Sequence, residues 1–291
     1  MTIHIPVLCA EVIDGIDPQP GDTIVDGTLG GGGHTRELLD LIGPSGKLFG
    51  FDRDPYAVEE TRRRIPDANA TFIVANYSDV PEYLAQYGVE LVDSVLLDLG
   101  LSSDQLADRE RGFSFQSDGA LDLRFNPMAG EPAAKLVNRL SERHLADLIY
   151  EFGEERFSRR IARKIVKLRH ANRIETSSQL AAIVRSCIPK SRTQTIDPAT
   201  RTFQALRIAV NDELKWLKVA MNRLPDLIRP GGRIVVISFH SLEDRIVKQA
   251  MNENSELEVL TRKPVQASEA ELAVNPRSRS AKLRVAKRVG G

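Results

Sequence analysis

The chain has 291 residues, 42% of them hydrophobic, with 40 basic and 40 acidic side chains that cancel; it is long enough for one large or two ordinary domains, and whole-chain charge points to no partner. Cys9 and Cys187 are its only cysteines, neither near a second Cys or a His at metal-ligand spacing, so no metal and a reducing cytoplasm are expected. A secretory leader and a membrane span are not expected either, because there is no basic flank before an apolar core and no apolar run of spanning length.

In chain order, residues 23–25 predict a β-strand that enters the run Asp26-Gly27-Thr28-Leu29-Gly30-Gly31-Gly32-Gly33-His34-Thr35. A helix-compatible stretch over 36–42 and a second apolar run, 47–51, ending at Asp52 complete the pattern of a first βαβ unit in a nucleotide-binding sheet. Consecutive glycines let backbone pass close to a ligand and adopt positive φ without steric cost. Asp52, about twenty residues beyond the glycines, is placed to accept hydrogen bonds from ribose hydroxyls. Every register of G-x-G-x-x-G fails, since Thr35 stands where a third glycine is needed. The phosphate loop G-x-x-x-x-G-K-[ST] fails at Leu41 and Leu48. A ligand without a pyrophosphate fits better, and S-adenosylmethionine offers an adenosine for the acid and a carboxylate for the amides of a helix N-terminus. The plainer alternative is a tight glycine turn in some other α/β protein.

Residues 71–74, 94–97 and 233–238 predict three further strands, and the alternation with helices predicts an α/β fold with a mostly parallel sheet. Ligands of such sheets lie beyond the carboxyl ends of the strands. Leu96-Leu97-Asp98-Leu99-Gly100 puts Asp98 there, to orient the methyl-bearing end of a cofactor, to hold a nucleophilic amine, or merely to cap the next helix. From 105 to 198 helix-period segments run without a strand, with helices expected over 142–152, 155–169 and 178–188. This predicts a helical substrate-recognition domain, 105–198, inserted in a catalytic domain made of 1–104 and 199–291. One long amphipathic helix is predicted over 202–224, before Pro230-Gly231-Gly232 turns the chain into the fifth strand. His240 follows that strand and either accepts a proton near neutral pH or organises the turn into the next helix.

Arg156, Arg159, Arg160, Arg163, Lys164, Lys167, Arg169 and Arg173 lie in a stretch without an acid, opposite an apolar stripe of Phe157, Ile161, Ile165 and Leu168. Arg277, Arg279, Lys282, Arg284, Lys287 and Arg288 repeat the pattern near the chain end, alternating with Leu283 and Val285 as an edge strand would. Both runs suit either solvated charge or RNA phosphates. Phe113 and Phe115 are either core anchors or a wedge beside an extruded base.

The strings His4-x-Pro6-Val7-Leu8, Asp26 to His34, Asp52-Arg53-Asp54-Pro55, Asp98-Leu99-Gly100-Leu101-Ser102-Ser103-x-Gln105-Leu106, Arg111-Gly112-Phe113-Ser114-Phe115, Pro198-Ala199-Thr200-Arg201-Thr202-Phe203-Gln204-Ala205, Ser238-Phe239-His240-Ser241-Leu242-Glu243-Asp244-Arg245 and Asn275-Pro276-Arg277-Ser278-Arg279-Ser280 span nearly the whole chain. Together they resemble the bacterial ribosomal RNA small subunit methyltransferase H family. The resemblance implies a class I, Rossmann-like methyltransferase sheet interrupted by a helical domain. It implies an S-adenosylmethionine-dependent enzyme that methylates the N4 amine of a cytidine in the decoding region of 16S rRNA, within the small ribosomal subunit. The family's cofactor contacts fall on Gly32, Gly33, His34, Asp52, Tyr77, Asp98 and Gln105, and Asp98 and His240 are the catalytic candidates. Tyr77 follows the third strand, where its ring suits adenine stacking or plain packing. Asp197 stands where the family usually has His, which argues against a phosphate contact there. A DNA amine methyltransferase would show an Asn- or Asp-Pro-Pro-aromatic string after the fourth strand, and that string is missing. The remaining alternative is a non-catalytic RNA-binding assembly factor on the same fold.

Overall fold

The structure, a computed structural model, describes residues 6–108, 110–114, 118–189 and 196–290. Phe115 lies outside the described residues. The chain forms two compact units, one of Met1–Ser102 with Leu214–Gly291 and one of Ser103–Glu213.

The first unit opens with α1 (Cys9–Ile16), β1 (Thr23–Asp26), α2 (Gly33–Ile42), β2 (Lys47–Asp52), α3 (Pro55–Arg64), β3 (Ala70–Val74), α4 (Val80–Gln86) and β4 (Val92–Asp98). The second unit carries α5 (Ser103–Ala107), α6 (Ala133–Arg139), α7 (Glu142–Gly153), α8 (Ser158–Arg169), α9 (Ser177–Cys187) and α10 (Thr200–Asn211). The chain then passes through α11 (Glu213–Arg223), β5 (Ile228–Ser238), α12 (Ser241–Glu253), β6 (Leu257–Val259), α13 (Glu269–Val274) and β7 (Lys282–Arg288).

Among the described residues seven strands form one sheet in the order β3-β2-β1-β4-β5-β7-β6. β1 to β5 run parallel, and β7 is antiparallel to β5 and to β6. The central strands are buried on both faces, which is why they read as continuous apolar runs rather than alternating ones. One face packs Val25, Phe51, Leu97 and Val236 against Leu217 and Met221 of α11. The other packs Ile24, Leu96, Val235 and Ile237 against Val12 of α1 and Leu38 and Ile42 of α2. In the register Asp26 lies beside Gly50 and Leu96, and Asp98 beside Ile237, so the acids of β1, β2 and β4 sit together at the carboxyl end of the sheet.

Among the described residues of the second unit the regular elements are helices, with one bridge between Ala120 and Thr176. Ser141 caps α7 by accepting from the His144 amide, and Thr176 with Gln179 forms a capping box at α9. α8 buries Ile161, Ala162 and Ile165 and turns Arg159, Arg160 and Arg163 outward, so its amphipathic pattern fixes its orientation.

Three expectations need correcting. The single helix over 202–224 is two, because Asp212 adopts φ 51°, a left-handed conformation that closes α10 before α11 begins. α10 accordingly falls in the second unit, which ends at Glu213 and not at 198; Gly153 of α7 approaches α10 so closely that a Cβ there would stand 2.5 Å from the Arg201 carbonyl. The C-terminal strand is interior, since β7 is flanked by β5 and β6 and the short β6 forms the edge. Of the two readings of Phe113, the core anchor is the one observed: it is 5% exposed, its ring stacked 6.0 Å from that of Phe125.

Candidate active site

The turn after β1 is held from below by two carboxylates. Asp26, 2% exposed, accepts from the Thr28 amide at 3.1 Å and from the Thr35 hydroxyl at 2.7 Å, which ties the start of α2 to the end of β1. Burial pushes the Asp26 carboxyl up, opposed by the Thr35 hydroxyl and by His34. Asp52 at the end of β2 accepts from the Gly30 amide and the Asp54 amide, both at 2.8 Å. Burial drives it up to about 6 against those two hydrogen bonds. Its oxygens are therefore oriented by backbone amides, while their remaining lone pairs are available to ligand hydroxyls.

Gly32, the residue before α2, has φ 75°, and a Cβ there would lie 2.7 Å from Thr61 Cγ2 and 2.9 Å from Ile65 Cδ1. Thr61 is itself fixed, donating its hydroxyl to the Gly30 carbonyl at 2.9 Å. The glycines thus serve close packing of the turn on α3, and leave the amides at the first turn of α2, Gly33 and His34 among them, without an intrahelical partner.

The loop after β4 approaches the same turn. The Asp98 amide donates to the Thr28 hydroxyl at 2.5 Å, and a Cβ on Gly30 would stand 3.5 Å from Ser102 Cβ. His34 Nε2 lies 3.6 Å from Asp98 Oδ2, with the two side chains 7% and 20% exposed. Neither His34 Nε2 nor Asp98 Oδ1 has a hydrogen-bond partner, although both atoms are buried. Burial works against charge on the His34 ring, but Asp98, Cys9 and Asp26 prevail and the ring is pushed up to about 10. Tyr77 begins the short turn Tyr77–Asp79 after β3; a Cβ on Gly27 would lie 3.0 Å from its Cβ, and the ring is half-buried against the core.

The structure therefore brings Gly32, Gly33, His34, Asp52, Tyr77 and Asp98 to one end of the sheet. Gln105 lies on α5 of the second unit. His240 is the N-cap of α12: its Nδ1 accepts from the Glu243 amide at 3.4 Å, and its Nε2 sits 3.1 Å from Glu243 Oε1. Its described polar contacts all run to this helix start, as expected of a residue that organises the turn. Asp26, Thr28, Thr35 and Thr61, which hold the turn, were given no role by sequence reasoning. The signal for Asp26 was its place at a strand end directly before the glycines.

A ligand with an adenosine and an amino-acid end fits these residues. The turn has no room for side chains at Gly32, the first-turn amides of α2 are open to a carboxylate, and Asp52 is set to receive hydroxyls.

The basic runs are partly consumed by the protein itself. Arg284 is 5% exposed and paired with Asp244 of α12 at 2.6 Å; Lys282 reaches the same carboxylate, and Arg288 pairs with Glu256 at 2.7 Å. On α8, Arg169 donates to the Val137 and Leu140 carbonyls, whereas Arg159, Arg160 and Lys167 are exposed. Asp197 accepts from the Ala199 amide just before α10 and pairs with Arg185 at 2.7 Å, a structural role that explains an acid at this position.

The profile of the MraW methylase family matches residues 1–289. A curated relative from Deinococcus deserti, named Ribosomal RNA small subunit methyltransferase H, is 52% identical over 288 residues, covering 99% of this chain and 94% of the relative. One of the same name from Rhodopirellula baltica is 48% identical over 299 residues, covering 99% and 92%. A solved structure from Clostridium thermocellum shares the fold, with a TM-score of 0.50 at 15% identity and coverage of 99% of this chain and 100% of that one. With the glycine turn, the oriented Asp52 and a family match over nearly every residue, the chain belongs to the MraW methylase family and takes S-adenosylmethionine as its cofactor.

Proposed function

We propose that this chain methylates the N4 amine of a cytidine in the decoding region of 16S rRNA, acting on the small ribosomal subunit. The observation that carries the reading is Asp98: a carboxylate at the end of β4, beside the cofactor turn, with one buried oxygen that has no partner. The names of the relatives support ribosomal RNA as the substrate class. The exposed Arg159, Arg160 and Lys167 of α8 support contact with a phosphate backbone on the second unit.

S-adenosylmethionine supplies, when bound, an electrophilic methyl carbon on a sulfonium. Gly32, Gly33, His34, Asp52 and Tyr77 would hold and orient it. Cytosine N4 is a weak nucleophile because its lone pair is delocalised into the ring. Asp98 Oδ1 accepts a hydrogen bond from that amine, favours a localised lone pair, and takes the proton that leaves once the N–C bond has formed. The base must be unpaired or flipped out, since an amine engaged in pairing is not free to react. His240 and Glu243 keep the turn beside the site in shape.

The test is incorporation of labelled methyl groups from S-adenosylmethionine into small subunits prepared from cells without this activity. Stoichiometric transfer to those subunits, and none to subunits from cells that have the activity, is the expected result. Transfer to neither, with cofactor binding intact, would overturn the substrate assignment.

A further inference from the structure

We propose that His34 is a positioning residue for methyl transfer: as an imidazolium it ties down one oxygen of Asp98 and so presents the other as a fixed acceptor, a role that rests on the function proposed above. The two side chains meet at 3.6 Å between His34 Nε2 and Asp98 Oδ2, inside the first unit, and each leaves a buried atom without a hydrogen bond. Their backbones are fixed independently. His34 sits in the first turn of α2, clamped by the neighbouring Thr35 hydroxyl on Asp26; Asp98 is held by its amide on the Thr28 hydroxyl.

The surroundings favour a charged ring. Among the described residues, the groups that act on it most are Asp98 from β4, the Cys9 thiol from α1 and Asp26 from β1, two acids and a thiol. A neutral imidazole there would leave the buried Asp26 and the partly buried Asp98 without a counter-charge, which is costly. Burial opposes the charge, yet these neighbours push the ring up to about 10, which favours the imidazolium. The consequence is geometric. With Oδ2 anchored by charge, Oδ1 cannot exchange places with it, and the acceptor stays aimed; a misplacement of about 1 Å can cost on the order of 100-fold in rate.

The first readout needs no RNA. Histidine-labelled, ligand-free protein is followed by 15N NMR from pH 6 to 9; the His34 ring is expected to keep its imidazolium signature throughout, and a neutral tautomer at pH 8 would overturn the proposal. The second is His34→Gln, checked for folding by thermal unfolding and for binding by titration with S-adenosylmethionine. Its single-turnover rate is expected to fall about tenfold or more, with the acid limb of the rate profile displaced upward. His34→Lys, which restores a cation, is expected to move that limb back. A folded His34→Gln with the wild-type rate and profile would overturn the role. Failure of the wild-type chain to methylate any RNA would be a failure of the functional reading, and is visible before a variant is made.

Discussion

Replacing Gly32 with alanine tests the physical account of the cofactor turn. At φ 75° a Cβ brings the strain of left-handed backbone, about 1–2 kcal/mol. The new methyl also stands 2.7 Å from Thr61 Cγ2 and 2.9 Å from Ile65 Cδ1. Thr61 cannot swing aside without losing its 2.9 Å hydrogen bond to Gly30, so relief requires movement of α3, an overpacking cost of about 1–3 kcal/mol. Adding the two contributions gives a destabilisation of about 2–5 kcal/mol, measurable by urea unfolding. Thr61→Ser keeps the hydroxyl and deletes the offending methyl, for about 0.8 kcal/mol on its own. In the double variant part of the clash is gone while the backbone strain remains, so the cycle is expected to show favourable coupling of about 1 kcal/mol. A Gly32→Ala protein within about 0.5 kcal/mol of wild type, or a cycle without coupling, would refute the reasoning.

Asp98→Asn is expected to lower the single-turnover rate by about 100-fold or more while S-adenosylmethionine affinity changes by less than about tenfold; lost binding in calorimetry would confine Asp98 to the cofactor. Asp52 is held up to about 6, so its ionised form is lost as pH falls through that value, and cofactor affinity is expected to weaken below pH 6; a binding constant flat from pH 5 to 8 would contradict this. The same shift has an opposite sign for stability: between 3.8 and about 6 the folded chain binds more protons than the unfolded one, so the contribution of Asp52 declines as pH rises across that window. Replacing Arg159, Arg160 and Lys167 with glutamine should flatten the plot of log binding constant against log salt for 16S rRNA by about 0.7–0.9 per lost phosphate contact, with thermal stability unchanged; an unchanged slope would move the RNA contact elsewhere.

The five parallel strands were legible because burial on both faces writes itself as runs such as Val95-Leu96-Leu97. The glycine turn was legible because Gly32 meets a requirement that only glycine fulfils cheaply. The break at Asp212 was not, since an aspartate closes α10 in the left-handed conformation without the glycine that usually announces it. The interior place of β7 was hidden for a different reason. Its Arg284 reads as an exposed edge charge, and becomes buried only because Asp244 arrives from α12, a pairing across forty residues that no local period encodes. The same holds within the site. Asp98 and Asp52 were marked by their places at strand ends, but which carboxylate meets His34 and which meets the Gly30 amide depends on the strand order, with β1 between β2 and β4.

The central claim is that the target is the exocyclic amine of a cytidine. Nucleosides from small subunits methylated by this chain with isotope-labelled S-adenosylmethionine can be separated and identified by mass spectrometry against N4-, C5- and N3-methylcytidine standards. The account predicts label only in N4-methylated cytidine, from one fragment of the decoding region. Label in another nucleoside, or on carbon C5 of cytidine, would contradict it.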